Sequence, residues 1–296
     1  MKKSIKFFIE YFFLFYLVLF FRLFPLSVAL KIASALGKIF FHINYTHRKR
    51  AIENLSHSFP DKSYKEIVQI CKRVYINLAK VFMEFIFLPK IDLNYINSKV
   101  KIIGEENLKK ALKKGKGIVA ITGHIGNWEL LGTIVVKIGY PLSAIYHPMR
   151  NPYSDKLFYK IRRDAGMELI PMQDSLRGSI KALKANKLLG LIADQDAGGA
   201  GVFVNFFGRP ASTAKGPAIF AVKTNAPMLF FALIRGKNDT HTLYISKPLK
   251  VKITGDLEKD IYYNTKLWSD ELEKWVKKYP DQWFWVHRKW HTKKKF

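Results

Sequence analysis

The chain has 296 residues, 49% of them hydrophobic, enough for one large domain with a full core and an appendage in contact with a membrane. Lysine and arginine number 50 against 23 acidic residues, a formal net charge of +27, so the field outside the protein attracts anionic lipid, phosphorylated substrates, acidic carriers or nucleic acid. The 23 Phe and 14 Tyr favour a bilayer interface over a basic nucleic-acid binder, and a single cysteine, Cys71, excludes an intrachain disulfide and a cysteine-based metal site.

Tyr11 to Phe21 is an unbroken apolar and aromatic run, preceded by Lys2, Lys3 and Lys6 and closed by Arg22, with Glu10 interrupting any extension backward. A spanning helix needs about 20 apolar residues, so the run reads as a tilted single-pass anchor or as a helix lying in the interface. A cleaved signal peptide is a third reading, opposed by Arg22 and by the apolar amphipathic sequence that continues from Pro25 to Ile43. Pro25 suits the first turn of that second helix. His47 to Arg50 is a basic cluster that fits either anionic headgroups or a solvated linker. Ser63 and Glu66 form a capping-box pattern opening a helix to about Leu88, with Cys71 on its apolar stripe as a core residue.

From about Val100 short β-type runs alternate with helical ones. Strands are expected at Gly117 to Thr122, Leu142 to Tyr146, Leu188 to Ala193, Met228 to Ile234 and Thr242 to Ile245. Helices are expected at Trp128 to Ile138, Asp155 to Ala165, Leu176 to Ala185, Pro217 to Thr224 and about Asp256 to Lys278. This alternation predicts an α/β fold, a mostly parallel central sheet flanked by helices, with an N-terminal hydrophobic membrane-anchoring helix. The organisation reads as an anchor and interfacial helix at 1–45, a helical packing region at 46–98, and an α/β region at 99–296 continuous with it.

The segment Ile121-Thr-Gly-His124-Ile-Gly-Asn127-Trp-Glu129 puts a histidine at a strand end and a glutamate in the first turn of the next helix. On one continuous helix they would be offset by roughly 140°; across a turn opened by Gly123 and Gly126 the ring can fold back toward the carboxylate. Glu129 would then fix the imidazole tautomer and leave the other nitrogen to take a proton from a hydroxyl. Free N–H groups at the helix start suit an oxyanion or phosphate.

His124 with Glu129 resembles the H-x-x-x-x-D/E signature of glycerolipid-type acyltransferases, and its surroundings resemble the lauroyl/myristoyl acyltransferase family of lipid A biosynthesis. The blocks Asp194-Gln-Asp196-Ala-Gly, Gly201-Val-Phe-Val-Asn-Phe-Phe-Gly208-Arg-Pro and Gly216-Pro217-Ala218, with Thr213 between, are similar to that family's centre. The end Pro280-Asp-Gln-Trp283-Phe-Trp285-Val-His287-Arg288-Lys-Trp290 is similar to its C-terminal signature. The resemblance implies transfer of an acyl group from acyl carrier protein, or less often coenzyme A, to a hydroxyl of a phosphorylated lipid A precursor. It implies His124 as general base, Glu129 as its acidic partner, no cofactor, and a place on the inner membrane with the catalytic region facing the cytoplasm. A phosphatidylinositol mannoside acceptor would use much the same base and acid. The family often has Tyr-Arg-Pro before its Asn-Pro pair, whereas here the sequence is Tyr146-His147-Pro148-Met149-Arg150-Asn151-Pro152; Arg150 or His147 is expected to supply the missing charge.

Arg163, and with it Arg162, are expected to hold an acceptor phosphate, with Arg150 and Asn127 also on the substrate side. Asp194 and Asp196 follow an apolar strand, where α/β sites gather, and are expected to bind the acceptor; no metal is expected, because the remaining ligands are missing. Phe206 and Phe207 suit an acyl channel or a core. Trp283, Trp285 and Trp290, interleaved with His287, Arg288 and Lys289, suit an interfacial edge or a packed segment. The expected partners are acyl carrier protein, the glycolipid acceptor and an anionic membrane surface. The basic tail from Lys289 to Lys295 permits a membrane-associated nucleic-acid binder, which no nucleic-acid motif supports, so no nucleic-acid partner is expected. A hydrolase is disfavoured because there is no G-x-S-x-G elbow.

Overall fold

The structure, a computed structural model, describes residues 2–294; the side chains of Lys2 and Lys3 and the end of the basic tail at Lys295 lie outside the described residues. The chain opens with four helices, α1 (Lys2–Phe21), α2 (Leu26–Ile43), α3 (Tyr45–Ser58) and α4 (Tyr64–Phe87). The helix α1 is longer than the apolar run because Glu10 does not stop it: its carboxylate accepts from the Asn151 amide at 3.2 Å, and the same amide donates to the Phe7 carbonyl at 2.9 Å. Two helical windows, Ser4–Phe21 and Leu26–Ile43, are long and apolar enough to cross a membrane. Pro25 is the residue before α2 and not its first turn. The basic cluster lies inside α3. The capping box is present at the start of α4, with Ser63 N–H donating to Glu66 at 2.8 Å, and Cys71 is fully buried.

Beyond α4 come α5 (Leu93–Lys99), β1 (Val100–Ile103), α6 (Glu105–Leu112), β2 (Ile118–Thr122), α7 (Trp128–Lys137), β3 (Leu142–Tyr146), α8 (Pro152–Asp164), β4 (Glu168–Pro171), α9 (Ser175–Lys184) and β5 (Leu188–Ile192). The hairpin β6 (Val202–Phe206) with β7 (Arg209–Thr213) precedes α10 (Gly216–Thr224), β8 (Met228–Arg235), β9 (His241–Ile245) and α11 (Leu257–Lys278). The central sheet has strand order β1-β9-β8-β2-β5-β3-β4 and is parallel at every pairing except β8 with β9. Both faces are covered, as a parallel sheet requires. On one face Val119, Ile121, Leu189 and Leu191 pack with Trp268, Trp283 and Phe206; on the other Ile118, Ala120 and Leu188 pack with Leu130 and Ile134 of α7. Among the buried groups are Trp283, Trp285 and Lys289, so the C-terminal segment is packed into the domain.

Beneath the turn between β2 and α7 lies a buried ionic network. Glu84 of α4, fully buried, receives Arg235 Nη1 at 2.9 Å and the Asn127 amide at 2.6 Å, while the Asn77 amide donates to the Gly126 carbonyl at 3.2 Å. Burial acts to raise the Glu84 carboxyl, and the Arg235 charge together with the hydrogen bonds from Arg235 and Asn127 outweighs it, so Glu84 is held below the ordinary carboxylate range. Gly126 sits at φ +62°, and a Cβ there would lie 1.9 Å from the Leu233 carbonyl oxygen, so the turn requires glycine. Removing one partner of a buried ion pair strands the other charge. Arg235→Met is therefore expected to cost roughly 3–5 kcal/mol, with much of it recovered in the double variant Glu84→Leu/Arg235→Met. Unfolding in detergent checks this; additive losses in the double variant would contradict it.

Candidate active site

The parallel register of β2 with β5 pairs Thr122 with Ile192. Two residues on, past the ends of both strands, His124 and Asp194 stand side by side. His124 Nδ1 lies 2.6 Å from Asp194 Oδ1, and Oδ2 accepts from the His124 backbone N–H at 2.8 Å and from Trp283 Nε1 at 2.8 Å. Asp194 is fully buried. Burial acts to raise its carboxyl, but the charge of the His124 ring when protonated and the hydrogen bonds from that residue outweigh it, so the group is held far below the usual range and remains a carboxylate. The close approach depends on Gly123, whose Cβ would stand 2.9 Å from Asp194 Oδ2. With Nδ1 committed to the carboxylate, Nε2 is the nitrogen left for substrate. The ring is walled by Trp128 at 5.0 Å and Phe284 at 5.7 Å between centroids.

The expected pairing of His124 with Glu129 is corrected by this geometry. Glu129 occupies the first turn of α7 and takes a bidentate pair from Arg162 of α8, Nε to Oε2 at 2.9 Å and Nη2 to Oε1 at 2.7 Å. A guanidinium fork matches a carboxylate better than a single imidazole nitrogen does, and the strand register had already supplied His124 with Asp194. Burial acts to lower Arg162, and Glu129 more than reverses it, so the guanidinium stays charged. His124, Glu129 and Arg162 all line one cavity of about 570 Å³, whose apolar body is walled by Leu131, Val135, Leu142 and Met167. His147, at the mouth, also lines it.

Other expectations change. Asn127 is fully buried, caps α7 by accepting from Leu130 N–H at 2.9 Å and donates to Glu84, so it faces the network below the turn and has no substrate side. Asp194 serves the imidazole and is closed to an acceptor. Arg163 is mostly exposed and meets its neighbour Asp164 at 3.3 Å; the arginine at the cavity is Arg162. Arg150 is exposed and is not among the cavity's lining residues, since Asp155 ties its loop through the Met149 N–H at 2.8 Å and the Tyr146 hydroxyl at 2.8 Å. Asp196 is half-buried and accepts from the Thr292 hydroxyl at 2.8 Å. Phe206 and Phe207 belong to the core.

Two buried histidines surround these networks. Burial, against the pull of Asp194, pushes His287 down to about 3, and burial, against that of Glu84, pushes His241 down to about 4. The unfolded chain binds these protons first as pH falls from 6.5, the ordinary value of both, so folding stability is complete above that pH and is lost toward pH 4. The slope approaches about 1.4 kcal/mol per pH unit for each histidine. The thermal midpoint in detergent is expected to fall steadily between pH 6.5 and 5.5, a window in which ordinary carboxylates stay mostly ionised; a flat profile over that window would contradict it.

The model of the bacterial lipid A biosynthesis acyltransferase family matches residues 1–292. The lipid A biosynthesis acyltransferase of Haemophilus influenzae is 23% identical over 272 residues, covering 91% of this chain and 84% of that protein. The lipid A biosynthesis palmitoleoyltransferase of Escherichia coli is 24% identical over 246 residues, 82% and 78% of the two chains. The phosphatidylinositol mannoside acyltransferase of Mycolicibacterium smegmatis is 23% identical over 219 residues, 72% and 69%. With the match running from the first helix through the tryptophan-rich C-terminal segment, this chain belongs to the bacterial lipid A biosynthesis acyltransferase family.

Proposed function

We propose that this O-acyltransferase moves a fatty acyl group from the thioester of acyl carrier protein onto a hydroxyl of a phosphorylated lipid A precursor, with His124 as general base and Asp194 as its orienter. The observation that supports this most is the 2.6 Å contact between His124 Nδ1 and a fully buried carboxylate, beside a cavity with an apolar body. In the proposed step Nε2 takes the hydroxyl proton as the oxygen attacks the thioester carbonyl. The tetrahedral intermediate collapses with loss of the thiolate, which takes up the proton from the imidazolium. Asp194 stabilises the transient imidazolium. The Trp128 and Glu129 N–H groups, which have no hydrogen-bond acceptor among the described residues, open α7 and suit the oxyanion.

Glu129 and Arg162 enter this scheme as a pair. The bidentate contact fixes the guanidinium at the cavity wall, where it would meet a phosphate of the acceptor or of the carrier's prosthetic arm. The two apolar N-terminal helices support a membrane location, and the proposed face is the cytoplasmic side of the inner membrane, where the basic surface meets anionic lipid. A mannoside acceptor is a second reading, favoured by the likeness to the mycobacterial relative. Coenzyme A is the alternative carrier.

Transfer of labelled acyl groups from acyl carrier protein to a bisphosphorylated disaccharide lipid tests the scheme. His124→Ala is expected to abolish transfer while the protein stays membrane-bound. Asp194→Asn is expected to lower kcat by about two to four orders of magnitude. Glu129→Gln is expected to raise KM more than it lowers kcat. A loss below threefold in Asp194→Asn, or near-full activity in His124→Ala, would reject the mechanism; transfer to a mannosylated lipid alone would favour the second acceptor.

A further inference from the structure

A second cavity of about 620 Å³ lies between α1, α2 and α4, walled by Leu17, Leu36, Phe40, Leu78, Phe82 and Phe284. Its polar members are Asn44 and His47, bonded to each other at 2.8 Å, and Tyr75, whose hydroxyl donates to the Asn44 carbonyl at 3.5 Å. Among the described residues no Asp, Glu, Lys or Arg lines it, so it suits hydrocarbon.

The groove joins two places. At one side its own lining is exposed: Leu17 at 41%, Phe40 at 49% and Phe82 at 39%. These residues are continuous with the bare apolar faces of the two helices able to cross a membrane, including Phe13 and Phe20 of α1 and Ile39 and Ile43 of α2. A patch of that kind is costly in water and is matched by lipid. At the other side stands Phe284, whose ring packs against His124 at 5.7 Å and Trp128 at 6.2 Å. His124 and Trp128 line the first cavity, which Phe284 does not. Phe284 is thus the aromatic wall shared between the base and the membrane-facing groove.

Acyl transfer brings two lipid-bearing partners to one imidazole. One arrives on a soluble carrier, and no residue of α1 or α2 is among those lining the cavity under the sheet. The other already resides in the bilayer. We propose that the groove between α1, α2 and α4 holds an acyl chain of the membrane-resident acceptor lipid, guiding its headgroup hydroxyl past Phe284 to His124. This rests on the reading of the protein as an acyltransferase with a lipid acceptor. It gives the N-terminal helices a part in acceptor recognition beyond attachment.

The test uses full-length protein in vesicles of phosphatidylethanolamine and phosphatidylglycerol containing the acceptor lipid with a diazirine on one acyl chain. Irradiation is expected to label α2 and α4 at residues 33–40 and 78–83, and excess unmodified acceptor to suppress the label where excess phospholipid does not. Label confined to the outer face of α1, or suppressed equally by phospholipid, would overturn the proposal. Filling the groove by Ala79→Phe or, separately, Leu36→Trp is expected to raise the acceptor's apparent KM by about tenfold, the loss of one or two buried methylenes, with the donor's KM within twofold. An unchanged acceptor KM, or a rise in the donor's alone, would overturn it. Wild-type protein that labels as expected yet transfers nothing would fault the proposed activity and leave the groove assignment standing.

Discussion

The site depends on the contact between His124 Nδ1 and the Asp194 carboxylate. A carboxylate without solvent is tolerable only when every lone pair it exposes to the interior finds a donor, and Asp194 has three: the imidazole, the His124 N–H and the Trp283 indole. One strand end, one turn and the C-terminal segment are therefore tied through a single side chain. The arrangement also fixes which ring nitrogen is free. Its energetic support comes from beneath, where Glu84, paired with Arg235, accepts from Asn127, and Asn77 donates to the Gly126 carbonyl. The turn that carries the base is thus held between two buried carboxylates, Asp194 above and Glu84 below.

Around this centre the protein divides its labour by chemistry. Apolar surface under the sheet suits a fatty chain, while Arg162, paired bidentately with Glu129, puts a cation in the lining of the same cavity as the base. The overall charge of +27 acts at longer range, drawing the protein toward anionic surfaces and acidic carriers without specifying either. The N-terminal helices are joined to the domain by polar contacts as well as apolar ones: Asn151 both caps α8 and grips α1 at Phe7 and Glu10. The contact fixes α1, one of the two helices long and apolar enough to cross a membrane, against the domain that carries the site.

Much of this was legible in the residues. Hydrophobic runs bounded by turns located β2, β3, β5, β8 and β9 within two residues at each end, and Ser63 with Glu66 located the start of α4. The strands β1 and β4 were not legible because four residues are too short a window to separate strand from helix, and the hairpin of β6 with β7 was likewise not read as strands. His124 stood out because glycines flank it. Its partner did not, since sequence distance favoured Glu129, five residues away, over Asp194, seventy away. Both strand ends had been read; what was missing was that β2 and β5 are neighbours in register, a fact of tertiary pairing. Arg162 and Arg163 differ only in which face of α8 they occupy, and one residue's rotation puts one in the cavity and the other in solvent.

The central claim is that Asp194, and not Glu129, sets the ring tautomer of His124. Nitrogen NMR of protein carrying 15N-histidine reads this directly through the ring tautomer of His124 at neutral pH, assigned by comparison with His124→Ala. The account predicts the Nδ1–H tautomer, lost in Asp194→Asn and retained in Glu129→Gln. An Nε2–H tautomer in the unaltered protein, or a tautomer that follows Glu129, would contradict it.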